Sequence, residues 1–128
     1  MNNILDELFR YYDSEDYLYE MASLGGEDTG LPMSLFFSPQ PANHKIRPIR
    51  FKVSDNPKKF MPTNSLVYSI VEDENGIPIN IEPLINKRLS SKDEKILSMY
   101  ILLYYEPIKL YWESKIMTKP FVNAMGKI

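Results

Sequence analysis

His44 is the only histidine of the chain and stands directly before a run of cations: Lys45, Arg47, Arg50, Lys52, Lys58 and Lys59, with Asp55 the one acid among them. Two chemistries would use such a stretch. A histidine acting as general base needs a carboxylate or a second histidine to orient its ring. The only acid between residues 29 and 71 is Asp55. Without a partner fixed in the sequence, the simpler reading of His44 is a solvated loop histidine. The six cations fit the second chemistry better, since single-stranded nucleic acids are held by grooves that neutralise phosphates and stack bases on aromatic rings. Phe51 and Phe60 are interleaved there, but alternation sets Phe51 on the face opposite Arg50 and Lys52, where core is the expected role. The sequence pI near 5.4 also gives a weaker basic footprint than nucleic-acid domains carry.

Other chemistries lack their residues. No cysteine is present, which removes disulfides, thiolate nucleophiles and cysteine-held metals. The acidic groups Asp13/Glu15/Asp16, Glu27/Asp28 and Glu72/Asp73/Glu74 do not follow a calcium-loop spacing, and each suits a helix start, a loop or a turn. The five glycines are not spaced as a phosphate cradle, and no nucleophile elbow occurs. The expectation is a non-enzyme with no cofactor and no metal.

The elements that must position these residues belong to one α+β domain of 128 residues, with 44% hydrophobic and 25% charged residues. Residues 1–24 read as a helical segment. Ile4, Leu5, Leu8, Phe9 and Tyr12 form one apolar stripe, which resumes at Tyr17, Leu18, Met21 and Ala22 and ends at Gly25-Gly26. Two short helices or one kinked helix both satisfy that pattern. Residues 31–83 read as a mostly antiparallel sheet of about four strands. These are "MSLFFS" (33–38), "IRPIRFKV" with Ile49, Phe51 and Val53 on one face and a solvated Arg50/Lys52 face, "SLVYSIV" (65–71), and "IPINI" (77–81). Asn75-Gly76 marks a hairpin between the last two.

The segment 91–115 predicts a long helix opened by a Ser91–Glu94 capping box and kinked at Pro107. Its first half, "ILSMYILLYY" (96–105), is apolar nearly all round, so it is either buried on several sides or covered by a partner such as a second copy. It is too short to span a bilayer. Residues 116–128 form a tail whose spaced apolar residues suit docking. The opening MNNILDELFR has neither a basic nor an apolar signal region, so a cytoplasmic protein with no membrane partner is expected.

Charge and aromatics point outward. Residues 1–30 hold eight acids and a single base, Arg10, while the remainder is net basic, a pattern of internal complementarity or of a charged partner. Nine tyrosines and one tryptophan come largely as adjacent pairs, among them Tyr104/Tyr105 and Tyr111/Trp112. Adjacent helical residues cannot all face a core, and exposed aromatics anchor interfaces. Protein–protein contact through Tyr104, Tyr105, Tyr111, Trp112 and the Arg50/Lys52 face is therefore the leading expectation, with self-association as one form. Nucleic-acid binding through Lys45, Arg47, Arg50, Lys52, Lys58 and Lys59 is the alternative.

The order of "RPIRFKV", a hairpin, and "LSSKDEKILSMYILLYYEPIKLYW" resembles small uncharacterised proteins of bacteriophages and gut Bacteroidetes. Those carry a basic "PRIKV"-like strand and a C-terminal helix with an aromatic "LLxYW"-like end. The resemblance covers about residues 46–53 and 89–113. It implies a phage or mobile-element accessory protein and transfers no functional residues.

Overall fold

The computed structural model describes residues 21–40, 48–58 and 65–128. Residues 1–20 of the helical segment expected over 1–24, together with His44, Lys45, Arg47 and Lys59, lie outside them. Five strands form one antiparallel sheet in sequence order: β1 (Ala22–Leu24), β2 (Ser34–Phe37), β3 (Arg50–Ser54), β4 (Leu66–Glu72) and β5 (Pro78–Pro83). A single helical turn, α1 (Gly26–Thr29), follows β1. Helices α2 (Ser91–Leu103), α3 (Tyr105–Trp112) and α4 (Thr118–Ala124) complete the chain. The fold is α+β, with one strand more than the period-two pattern predicts.

The additional strand corrects the sequence reading. Ala22 closes no helix. Instead Ala22, Ser23 and Leu24 pair with Phe37, Phe36 and Leu35. Three residues carry too little pattern to announce a strand, and only the distant partner β2 makes them one. The hairpin between β4 and β5 forms where Asn75-Gly76 places it. Asp73 accepts from the backbone N–H groups of Asn75 and Ile77, and Gly76 takes a φ of 77°, a left-handed conformation that suits glycine. A bulge beside Val71/Glu72 interrupts this ladder.

The long helix also differs from its expectation. Its N-cap is Ser90, whose hydroxyl accepts from the Asp93 N–H, so the cap sits one residue before the predicted Ser91. That shift releases Glu94 for other work. Pro107 cannot donate to the Leu103 carbonyl and its ring crowds that group, and α2 ends at Leu103. The chain re-enters helix at Tyr105 with Pro107 in the first turn of α3, where a missing N–H costs nothing. At the far end, Ser114 takes a φ of 60° while the Ser114 and Lys115 N–H groups bond back to Tyr111 and Leu110, a reversed turn that closes α3.

The core lies on one face of the sheet. Leu35, Phe37, Phe51, Val53, Tyr68, Ile70 and Ile81 meet Leu97, Tyr100, Ile101, Ile108, Trp112 and Phe121 from the helices. Five rings run through it in sequence of contact. Tyr111 stacks on Phe121 at 4.3 Å, Phe121 meets Phe37 edge-on at 5.4 Å, Phe37 stacks on Phe51 at 5.5 Å, and Phe51 lies 6.1 Å from Tyr68. The tail is docked: the Ile128 N–H donates to the Thr29 carbonyl, and the Tyr100 hydroxyl donates to the carbonyl of Gly126.

Candidate functional site

The basic strand does not present the face that alternation assigns to it. Arg50 and Lys52 do point away from the helical core, yet they are only 7% and 8% exposed. Register explains why. Lys52 stands between Phe36 and Val67, and Arg50 beside Ser69, and all of these same-face neighbours are buried. The central strands are therefore dry on both sides. Arg50 donates to the Pro48 carbonyl at 2.9 Å, and both cations have further partners, as buried charge requires. A solvated docking face at Arg50/Lys52 is not what this chain builds. Of the six cations, Lys58 alone is described and exposed.

The aromatic anchors are corrected in the same way. Trp112 is 1% exposed, and Tyr111 and Tyr105 are buried with it, because α3 lays that side onto the sheet and α4. Their polar ends are satisfied internally: the Tyr111 and Thr118 hydroxyls bond at 2.8 Å, and the Tyr105 hydroxyl donates to Glu72. Tyr104 is half-buried, its ring tilted 47° to that of Tyr100 at 4.8 Å, with its hydroxyl donating to the Lys127 carbonyl. Among the described residues, every tyrosine except the half-buried Tyr104 is buried in the core.

One cluster of titratable groups is well ordered. The Tyr68 hydroxyl donates to Glu94 at 2.7 Å while accepting from the Leu89 N–H at 2.9 Å, and Arg88 grips both oxygens of Glu94. The Arg88 guanidinium holds the Glu94 carboxyl below the usual carboxylate range. Burial, then the bond to Glu94, pushes Tyr68 up to about 12. A general acid or base works best with a pKa near ambient pH. Both groups are displaced away from neutrality, so the cluster behaves as a clasp joining β4 to α2. Beside it lies a polar cleft of about 600 Å³ lined by Ser54, Asp55, Ser65, Asn86, Arg88 and Asp93, in which acids and bases are mixed. A second, more apolar hollow of about 800 Å³, between Gly25, Gly26, Leu31, Pro32, Pro57 and Lys58, gathers no nucleophile beside a base. Among the described residues, no three histidine, aspartate or glutamate side chains converge to hold a metal, and no helix is long and apolar enough to cross a membrane.

What the described surface does expose is aliphatic. Leu97, Tyr100 and Ile101 turn inward from α2, which leaves Met99 58% and Leu103 63% exposed, one turn apart on its outward stripe. Ile77 and Ile79 are exposed on the hairpin and edge strand beside it. The Ser98 hydroxyl donates to the Asn80 side chain at 3.0 Å, which brings the neighbouring residues Met99 and Ile79 onto adjoining elements. A signal for this surface existed, since the all-round apolarity of residues 96–105 requires some apolar residues to face away from any single sheet. Spacing from Leu97 and Ile101 would have picked Met99 and Leu103, which aromatic pairing drew attention away from.

No protein-family model, curated protein or solved structure matches this chain.

Proposed function

We propose that this chain is a non-catalytic accessory protein of a phage or mobile element, working in the host cytoplasm by binding protein. The observation that carries the reading is the outward Met99/Leu103 stripe of α2, with Ile77 and Ile79 beside it. Soluble single domains seldom leave several large aliphatic side chains exposed on adjoining elements unless something covers them. The polar groups support the same reading, because the ordered Tyr68–Glu94–Arg88 cluster is tuned for holding and not for proton transfer. Single-stranded nucleic-acid binding loses support, as a groove tracking a phosphate backbone needs exposed cations and Arg50 and Lys52 are withdrawn from water.

Size-exclusion chromatography with light scattering, combined with a pull-down from host lysate, tests the proposal. The expected result is self-association or capture of a discrete partner, lost on Met99→Asp. A strict monomer that captures nothing sinks it.

A further inference from the structure

The proposed protein-binding reading leaves the occupant of the α2 stripe unnamed, and the order of side chains along it supplies one. Around the outward line of α2 and the first turn of α3 stand Lys92, Lys95, Ile96, Met99, Leu102, Leu103 and Glu106. At 100° per residue those on α2 fall within about 60° of the direction of Met99, Ile96 also touching the core, and Glu106 stands exposed just beyond the break at Tyr104. The series is basic at its start, aliphatic in its middle and acidic at its end. Lys92 and Glu106 are separated by roughly 20 Å of helix, too far to pair within one chain. Among the described residues neither joins an ion pair.

We propose that α2 is the seam of an antiparallel homodimer, with Met99 on the two-fold axis. In that arrangement each level of one helix meets the reversed level of the other. Met99 packs on Met99 of the second copy, Ile96 lies level with Leu102, the Lys95 stem covers Leu103, and Lys92 meets Glu106. A two-fold interface is isologous, so every pairing occurs twice. The same stripe turned parallel would set Lys92 against Lys92 and Glu106 against Glu106, so charge selects the antiparallel form. Ile77 and Ile79, on the elements flanking α2, extend the aliphatic area beyond the helix.

Charge reversal on the full chain tests this by sedimentation equilibrium. Lys92→Glu and Glu106→Lys should each weaken the dimer roughly tenfold, since two attractions become two repulsions. An equimolar mixture of the two variants should regain wild-type association as a heterodimer, because each then supplies what the other lacks. The double variant Lys92→Glu/Glu106→Lys should also regain it, which excludes misfolding as the cause of the single losses. Met99→Asp should leave a folded monomer. A wild-type dimer indifferent to all of these substitutions overturns the seam and leaves the protein-binding reading standing. A wild-type monomer that binds a different protein, and loses it on Met99→Asp, does the same. A monomer with no partner overturns both.

Discussion

Across the middle of the sheet, Leu35, Val53 and Leu66 stand side by side facing the helices, and one register step away Phe36, Lys52 and Val67 stand side by side facing the other way. The first row is apolar throughout and belongs to a core knit by five rings. The second mixes a phenylalanine, a lysine and a valine, with Arg50, Ser34, Ser54 and Ser69 around them, and it is just as dry. Alternation therefore reports which face a side chain takes, and it says little about whether that face meets water. The long stems of Arg50 and Lys52 can lie among apolar neighbours while their charged ends find partners, so their presence does not mark a wet surface.

Truncating one phenylalanine on each face gives the widest contrast. Phe51→Ala empties a site between Phe37 and Tyr68 and should cost about 3–5 kcal/mol. Phe36→Ala should cost a similar amount, read as a loss of urea midpoint. If the second face were solvated, Phe36→Ala would change stability by less than about 0.5 kcal/mol. Equal losses confirm two dry faces; a negligible loss at Phe36 breaks the comparison.

Polar anchoring of the helical face is the next largest effect. Tyr68→Phe keeps the ring but leaves the Leu89 N–H without its acceptor and Glu94 with Arg88 alone as its side-chain donor, at a cost of about 1–3 kcal/mol. The same hydroxyl makes stability depend on alkaline pH. Tyr68 is raised from 10.0 to about 12 in the folded chain, so the unfolded chain gives up that proton first. Its contribution is fully present below pH 10 and is lost as pH climbs toward 12. Tyr100 is raised by burial and adds a loss of the same sign. A Tyr68→Phe variant followed by urea unfolding from pH 8 to 11.5 should therefore lose stability less steeply than the parent. Parallel curves would show that the phenol is not linked to folding.

Local rules read from the sequence held wherever the physics was local. Asn75-Gly76 turns the chain because positive φ is a property of the residue, and Pro107 stops α2 at Leu103 because the missing bond lies four residues away. Ser90 and Ser91 each head a plausible capping box, with Asp93 and Glu94 in turn. The choice of Ser90 rests on Glu94 being held by Arg88 and Tyr68, whose positions come from the fold. The features that escaped depend on distant partners in the same way. β1 exists only by pairing with β2, and Tyr105, Tyr111 and Trp112 are buried by α4 and the sheet, which no helical wheel contains. The exposed stripe was half legible. An all-apolar helix announces an uncovered side, but which side is settled only once Leu97 and Ile101 have docked.

The smallest expected effect locates where the second dry face stops. Following the same face outward from β3, Ser69 on β4 is buried, while its register partner Glu82 on β5 is exposed. Glu82 sits on an edge strand that has Pro78 and Pro83 at its ends and a bulge within, devices that discourage pairing with another sheet. Glu82→Thr exchanges a charged side chain for a β-favouring one without emptying any packed space. It should move stability by no more than about 0.5 kcal/mol in either direction. Measured beside Phe36→Ala in the same urea series, a neutral Glu82→Thr draws the edge of the cover between β4 and β5. A loss approaching that of Phe36 would mean that the dry region reaches the sheet edge, and that β5 is held on both faces as β3 is.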